Sequence, residues 1–277
     1  MCDCDPTDPP SRRRFLTTMG AAVAGVAAGA VALSADRLAA SAFQAAPPGP
    51  LSGAATGRTG GTSATPLFGG LQVLRRDEWG IDLPPKGALY PEDPRFILVH
   101  HTASPNDGRA PRELVRISHA YHTGPKGWPD IAYNFMVGHD GSVWETRQGS
   151  LAGPVIADAS GGSQGFAQLI CMIGDFARVP PPPAMQESVV RLIAFLAHRD
   201  SIDLTAGATA SFTSRGSNRF PAGTPMTVRT VSGHRDCTLT TCPGDVGYSL
   251  IPGWRERARQ LLLETSPFEH AERLGAQ

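Results

Sequence analysis

Two histidines and one cysteine are the residues whose chemistry and spacing suggest a functional site. His100 ends a short apolar run at residues 95–100, His234 lies in a Gly-His-Arg-Asp sequence, and Cys242 follows eight residues later. Two imidazoles and a thiolate suit zinc, and three protein ligands leave a fourth coordination position for a water molecule. The spacing alone is weak evidence, because isolated histidines and cysteines more often pack in a core. The three residues are therefore candidate metal ligands.

Apolar segments and amphipathic segments alternate along the chain, and these must position the candidate ligands. The predicted strands are residues 95–100, 133–137, 142–146, 169–173 and 228–231, with an Asp-Gly pair marking a hairpin between the second and third. The predicted helices are residues 111–122, a segment that follows the prolines at 180–183, and residues 246–263. A Gly/Ser/Thr-rich stretch at 205–224 is expected to be a surface or substrate loop. The alternation predicts one α/β domain at residues 71–265.

The composition of the 277-residue chain limits the function classes. Lys and Arg total 25 and Asp and Glu total 25, so the net charge of zero excludes the strong basic field of non-specific nucleic-acid binding. Five cysteines are too few for a disulfide scaffold. If Cys242 binds metal and Cys2 and Cys4 leave with a signal peptide, Cys171 and Cys237 remain. Sequence alone leaves open whether those two form a disulfide.

The first 70 residues have the composition of an export signal and a linker. Three arginines at 12–14 precede an Ala- and Gly-rich apolar stretch, which resembles a twin-arginine signal peptide and is assigned to residues 1–42. An uncleaved membrane anchor is the alternative, because about 20 apolar residues can span a bilayer. Residues 43–70 are expected to be a disordered Pro/Gly/Ser linker, and residues 266–277 a polar tail. These segments predict a secreted or cell-wall protein that contacts the membrane only if the signal is retained.

Several motifs, in a fixed order along the chain, resemble one family. They are Val-His-His-Thr at 99–102, Gly-Trp-Pro-Asp-Ile-Ala-Tyr-Asn-Phe at 127–135, Gly-His-Arg-Asp at 233–236 and Thr-Thr-Cys-Pro-Gly-Asp at 240–245. Together they are similar to the peptidoglycan recognition protein family, that is, the type 2 N-acetylmuramoyl-L-alanine amidases related to the lysozyme of phage T7. The resemblance extends over roughly residues 71–263.

The resemblance implies a fold and a set of site residues. The implied fold is a single α/β domain with a central mixed β-sheet flanked by helices and one catalytic zinc ion in a surface cleft. The implied zinc ligands are His100, His234 and Cys242. Tyr133 would orient the attacking water or stabilise the oxyanion, and Thr240 would support the same oxyanion. Some relatives carry a glutamate base where this chain has Cys171, so the identity of the base stays open, with Tyr133 preferred.

The implied reaction is hydrolysis of the amide that joins muramic acid to L-Ala, by a monomer acting on peptidoglycan or muropeptides. His101, His122, Trp128 and Arg147 are the candidate substrate contacts. Each has a structural alternative: His101 should face the opposite side of its strand, and His122 could cap a helix end. Trp128 could belong to the core, and Arg147 could form a surface salt bridge. Asp236 is expected to brace its own loop.

Two other functions stay open beside the zinc amidase. The first is a peptidoglycan-binding module without catalysis, because some members of the family only recognise the polymer. Retention of Cys242 and Tyr133 favours the enzyme, since non-catalytic members commonly lack the cysteine ligand. The second is a zinc-stabilised structural domain, which is disfavoured because structural zinc sites usually have four protein ligands and the sequence offers no convincing fourth.

Overall fold

A computed structural model describes residues 65–66, 68–79 and 83–265. The predicted signal peptide, residues 43–64 of the predicted linker and the polar tail lie outside these residues. Within the described part of the chain, none of the helices is both long enough and apolar enough to cross a bilayer. A short strand and a 3-10 turn at Phe68–Gly70 lie inside the segment predicted as linker, because the strand is formed by backbone pairing that needs no large apolar side chains.

A seven-stranded mixed sheet forms the centre of the domain, in the order β1-β2-β5-β4-β6-β3-β9. Its strands are β1 (Thr65–Pro66), β2 (Gln72–Leu74), β3 (Phe96–His101), β4 (Phe135–Val137), β5 (Val143–Glu145), β6 (Ala167–Met172) and β9 (Val231–Gly233). Strand β3 runs parallel to both β6 and β9, whereas β4 and β5 form the predicted antiparallel hairpin. The predicted mixed α/β fold is therefore confirmed.

Helices cover both faces of the sheet, as predicted. Helix α1 (Pro111–Thr123) and helix α2 (Pro183–Asp200) each begin with a proline in the first turn, where the missing N–H costs no hydrogen bond. Helix α3 (Asp245–Thr265) ends the described chain. Side chains alternate along β3, so Ile97 and Val99 pack with α2 and α3, whereas Phe96 and Leu98 pack with α1.

The stretch at 205–224 corrects a prediction. It was expected to be a loop, but it contains strand β7 (Thr209–Thr213), which pairs antiparallel with β8 (Pro225–Arg229) in a separate two-stranded sheet. Only Phe212 is fully buried in β7, so the strand lacks the apolar run that would have revealed it. The single strand predicted at 228–231 is likewise divided between β8 and β9.

The hairpin packs on the face of the sheet that carries α1. The Phe212 ring stacks on Phe96 with ring centroids 5.3 Å apart, and Met226 and Val228 of β8 join the same apolar cluster. Arg95 also donates a hydrogen bond to the Ser211 carbonyl at 2.8 Å. The hairpin is thus anchored to the start of β3.

A buried polar cluster, which we call the Glu92 cluster, lies at the amino end of β6. The Gln168 amide donates to Glu92, and Arg199 of α2 donates to the Gln168 side-chain oxygen at 2.9 Å and to the Ser150 carbonyl at 2.6 Å. Arg199 also pairs with Asp200 at 2.7 Å. Burial raises the pKa of Glu92 to about 8, with Asp200 adding to the rise and the Gln168 hydrogen bond and Arg147 opposing it.

Candidate metal centre

Sheet register brings the candidate ligands together. His100 lies near the carboxyl end of β3, and β9 pairs with β3 so that Val99 is opposite Gly233. His234 directly follows that glycine and therefore lies next to His100. Cys242 returns to the same place after a 3-10 turn and a short loop. The ligand atoms of His100, His234 and Cys242 all lie within 4.8 Å of one another, and all three residues are fully buried.

The chemistry of this donor set fits zinc. Zinc bonds of about 2.0–2.3 Å in a tetrahedral arrangement place ligand atoms about 3.3–3.8 Å apart, so small side-chain rotations would complete the set. Cys242 Sγ is 3.7 Å from His100 Nδ1, and the His101 amide N–H points at the same sulfur at 3.4 Å. His100 Nε2 is a buried polar atom without a hydrogen-bond partner among the described residues, a state that a bound cation would relieve.

The surroundings of His100 keep this candidate ligand in the form that can bind a metal. Burial lowers the pKa of His100 well below its usual value, and the neighbouring His234 and His101 lower it further. The rings of His100 and His234 have centroids 4.3 Å apart, so a proton on one would repel a proton on the other. A neutral imidazole is the form that binds a metal.

Tyr133 and His122 adjoin the ligands on the α1 face of the sheet. The Tyr133 ring is fully buried, with its centroid 5.2 Å from that of His100 and 5.5 Å from that of His122. Burial, aided by Lys126, lowers the pKa of His122 to about 3. Because His122 Nδ1 accepts the Ala132 N–H at 3.2 Å, the neutral ring carries its proton on Nε2. The structure therefore places Tyr133, the predicted catalytic residue, and His122, a predicted substrate contact, beside the candidate ligands.

The loop between the last two candidate ligands, residues 235–241, which we call the ligand loop, is braced by its own side chains and by the residues that flank it. Asp236 accepts the Gly233 N–H at 2.9 Å and the Tyr248 hydroxyl at 2.7 Å, which is the bracing role predicted for it. Arg235 pairs with Asp245 at 2.8 Å and donates to the Thr241 carbonyl. Thr240 is partly exposed, and its Oγ1 accepts the Cys242 N–H at 3.2 Å. The predicted catalytic threonine thus contacts the backbone of a ligand.

Three of the four predicted substrate contacts, His122 among them, are buried, and the side chains of two of these, His101 and Arg147, bond to groups away from the candidate ligands. His101 is 2% exposed, lies on the α2 and α3 face, and accepts the Phe176 N–H at 3.2 Å. Arg147 is 2% exposed, donates to the Ile131 carbonyl at 3.0 Å and pairs with Asp158. Neither side chain offers a surface to substrate, and the surface salt bridge considered for Arg147 is instead a buried one. Trp128 is partly exposed, with Lys126 Nζ 5.6 Å from its ring.

Sequence reasoning missed two residues that shape the site. Asn134 lies beside Tyr133, donates to Ser150 Oγ at 3.0 Å and to the Val155 carbonyl at 2.7 Å, and accepts the Leu169 N–H at 2.8 Å. Gly161 has a φ of 58°, in the left-handed region that favours glycine, and a Cβ there would lie 3.2 Å from His234 Nε2. The sequence features that could have indicated these two residues are the Gly161-Gly162 pair and the position of Asn134 directly after Tyr133.

The fold and site define a mixed-sheet α/β domain with a buried His/His/Cys centre, and comparisons with known proteins agree. A sequence profile described as N-acetylmuramoyl-L-alanine amidase matches residues 90–245, and the chain belongs to this family. Peptidoglycan-recognition protein SC1a/b of Drosophila simulans is 29% identical over 191 residues, covering 67% of this chain and 86% of that protein. Human N-acetylmuramoyl-L-alanine amidase is 29% identical over 163 residues, covering 57% of this chain but 24% of the human protein.

Solved structures extend the likeness to the fold. The wild-type Drosophila peptidoglycan recognition protein LB superposes with a TM-score of 0.50 at 25% identity, covering 66% of this chain and 93% of that one. A mutant of the same protein, in complex with tracheal cytotoxin, also gives a TM-score of 0.50. The Drosophila recognition protein SD shares the fold at 20% identity, with a TM-score of 0.52.

Proposed function

We propose that this member of the family is a zinc-dependent N-acetylmuramoyl-L-alanine amidase that hydrolyses the amide between muramic acid and L-Ala. The observation that carries the proposal is the convergence of His100, His234 and Cys242 beside Tyr133. Among the described residues this cluster has three ligand atoms and no fourth protein ligand, which is the pattern of a catalytic rather than a structural zinc site.

The residues around the ligands suit hydrolysis of an amide. Zinc, when bound, would lower the pKa of a coordinated water to about 7 and polarise a carbonyl group. The Tyr133 hydroxyl would donate to the oxygen that gains negative charge when the amide carbonyl is attacked. Thr240 would support the same oxygen from the ligand loop, and the Nε2–H of His122 is a further donor on the Tyr133 side. Tyr133 is the preferred group for moving the proton to the leaving amine.

The alternative is a peptidoglycan-binding module that does not catalyse. Family membership supports either activity, because relatives carry both kinds of name, recognition protein and amidase. The intact donor set and the adjacent tyrosine favour catalysis. Because one related protein is solved with tracheal cytotoxin, we also propose peptidoglycan fragments as the ligand class here.

Incubation of the purified protein with muropeptides, with and without a zinc chelator, tests the proposal. We expect free stem peptide to appear only when zinc is present, and zinc added back after chelation should restore its release. If zinc binds but no stem peptide is released while muropeptides still bind, the protein is the recognition module instead.

Export remains part of the proposal. The twin-arginine-like residues 11–16 and the apolar stretch after them support transport of the folded protein to the cell wall. Mass spectrometry of the protein in the culture medium tests cleavage, since a retained Met1 would contradict it.

A further inference from the structure

The tip of the β7–β8 hairpin, residues 214–224, holds the ligand loop from outside. Ser217 Oγ donates to the Cys237 carbonyl at 3.0 Å, and the Arg219 guanidinium donates to the Arg235 carbonyl at 2.8 Å. Between these two contacts lies Asn218. The hairpin tip therefore supplies partners to backbone groups along the span that separates His234 from Cys242.

Asn218 makes the most concentrated of these contacts. Its Oδ1 accepts the Leu239 N–H at 2.8 Å and the Thr238 hydroxyl, and its Nδ2 donates to the Leu239 carbonyl at 3.2 Å. One side-chain amide thus binds both backbone groups of a single residue, which fixes the orientation of that peptide segment. Thr240, the predicted catalytic threonine, is the next residue, and Leu239 is held in place although it is 73% exposed.

The tip is itself held by several internal hydrogen bonds. Ser217 Oγ accepts the Phe220 N–H at 3.0 Å and the Arg219 N–H at 3.3 Å, so one hydroxyl closes the turn and also bonds the ligand loop. The Ser214 N–H donates to the Thr224 carbonyl at 2.9 Å, and the Gly223 N–H donates back to the Ser214 carbonyl at 2.8 Å. Because the turn is held by these hydrogen bonds, it can keep the ligand loop in a fixed position.

The same tip also bonds to the segment at Gly161 and Gly162, which lies beside His234. The Arg215 N–H donates to the Gly162 carbonyl at 2.8 Å, and Gly161 lies so close to His234 that a Cβ would meet its Nε2 at 3.2 Å. A Cβ on Gly161 would also meet Thr238 Cβ at 3.0 Å. His234 is therefore enclosed by two segments that are both bonded to the hairpin.

We infer that the β7–β8 hairpin sets the geometry of the zinc ligands, with Asn218 as the positioning residue that fixes the ligand loop. The inference rests on the proposed function, because it takes His100, His234 and Cys242 to bind zinc. Groups outside the ligand shell that orient a metal site commonly change metal affinity or activity by about 10- to 100-fold. Asn218 acts through the backbone at an exposed position, so we expect a smaller effect, about 3- to 10-fold.

The test compares zinc affinity among full-length variants by competition with a chromophoric chelator. Asn218→Ala should weaken zinc binding about 3- to 10-fold and lower kcat by a similar factor, with KM for muropeptides within about twofold. Asn218→Asp retains the acceptor for Leu239 N–H and Thr238 and should recover part of the affinity. Ser211→Ala removes a 3.1 Å contact to Thr227 within the same hairpin, away from the ligand loop, and should match wild type.

The absorption spectrum of the cobalt-substituted protein provides a second measurement, which should not change if Asn218 has only a structural role. The sulfur-to-cobalt absorption should change in Asn218→Ala and remain unchanged in Ser211→Ala. If Asn218→Ala does not fold, the same measurements on the isosteric variant Asn218→Asp test whether Asn218 positions the ligand loop. Wild-type zinc affinity and an unchanged cobalt spectrum in the Asn218 variants would overturn the inference alone. Wild-type protein that binds zinc without releasing stem peptide would overturn the proposed activity alone, whereas wild-type protein that binds no zinc would overturn both.

Discussion

At the carboxyl end of β3, burial lowers the pKa of His100, whereas at the amino end of β6 burial raises the pKa of Glu92 to about 8. The two regions lie three register positions apart on paired strands, about 10 Å, since Ile97 is opposite Gln168 and His100 is opposite Cys171. In both regions burial favours the neutral form. A neutral imidazole has a lone pair that a cation can use, whereas a neutral carboxyl has a proton that must be removed at high pH.

The His/His/Cys cluster is suited to bind a cation, whereas the Glu92 cluster keeps its carboxyl group uncharged. The Glu92 cluster surrounds its carboxyl with Gln168, Arg199 and Asp200, and these polar groups are bonded to one another. The metal centre instead gathers three donors around one point. Changes at the two regions should therefore have different effects, on metal binding at one and on the pH dependence of stability at the other.

Removal of a ligand tests the metal centre most strongly. Cys242→Ser should abolish tight zinc binding and reduce stem-peptide release by at least about 100-fold, because activation of water by the metal is lost. Metal analysis of the purified variant, together with the muropeptide assay, measures both effects. Ser211→Ala, a change on the β7–β8 hairpin away from both the donor set and the ligand loop, serves as control and should keep zinc. A fully active Cys242→Ser would show that the cluster is not the reaction centre.

Loss of the tyrosine hydroxyl separates catalysis from metal binding. Tyr133→Phe should retain zinc and lower kcat about 100-fold, the effect expected when one donor to an oxyanion is removed. Tyr90→Phe, at an exposed tyrosine outside the site, should leave kcat within about twofold. Steady-state kinetics with zinc content measured in parallel distinguishes the two variants. An unchanged kcat in Tyr133→Phe would assign proton movement and oxyanion binding to other groups.

A substitution in the Glu92 cluster should change the stability of the fold rather than the activity. An unfolded glutamate ionises near pH 4.5, whereas Glu92 in the fold holds its proton up to about pH 8, so stability should fall as pH rises between these values. The full difference is on the order of 5 kcal/mol. Glu92→Gln stays neutral and should raise Tm by roughly 10–20 °C at pH 8, with the gain vanishing near pH 4.

An exposed glutamate provides the matched control for that measurement. Glu187 is paired at the surface with Arg191 and Arg257, so Glu187→Gln should change stability by less than about 1 kcal/mol and should not produce the same rise at pH 8. Thermal unfolding of both variants across pH 4–8 gives the comparison. A Tm difference for Glu92→Gln that does not depend on pH would contradict a protonated Glu92.

The fold was predictable where apolar runs are continuous. Strands such as β3 and β6 are buried along their whole length, and α2 shows the apolar spacing of a packed helix, so sequence patterns identified them. The β7–β8 hairpin was missed because its outer face consists largely of small and polar residues and each strand buries only one or two apolar side chains. Such a hairpin depends on contacts with distant residues, such as Phe212 with Phe96, that local patterns do not encode.

The sequence was enough to predict which residues form the site, but it predicted only some of the contacts that these residues make. The motifs identified His100, Tyr133, His234 and Cys242, which the structure brings together, whereas His122 was proposed only from its place at a helix end. They did not indicate that Arg147 is buried, because its partner Asp158 lies in an irregular segment. The roles of Asn218 and Glu92 depend on hydrogen bonds between segments that are far apart in sequence and have no periodic signature.

The strand order has a mechanical consequence for a tethered protein. The chain enters the sheet at β1, on one edge, whereas β3, which carries His100, is five strand spacings away, or about 24 Å. Tension applied upstream of Thr65 therefore acts first on the two-residue ladder between β1 and β2. After β1 and β2 the next strand of the sheet along the chain is β3, so a pull that opens the two-residue ladders at this edge is carried next to the strand that holds His100.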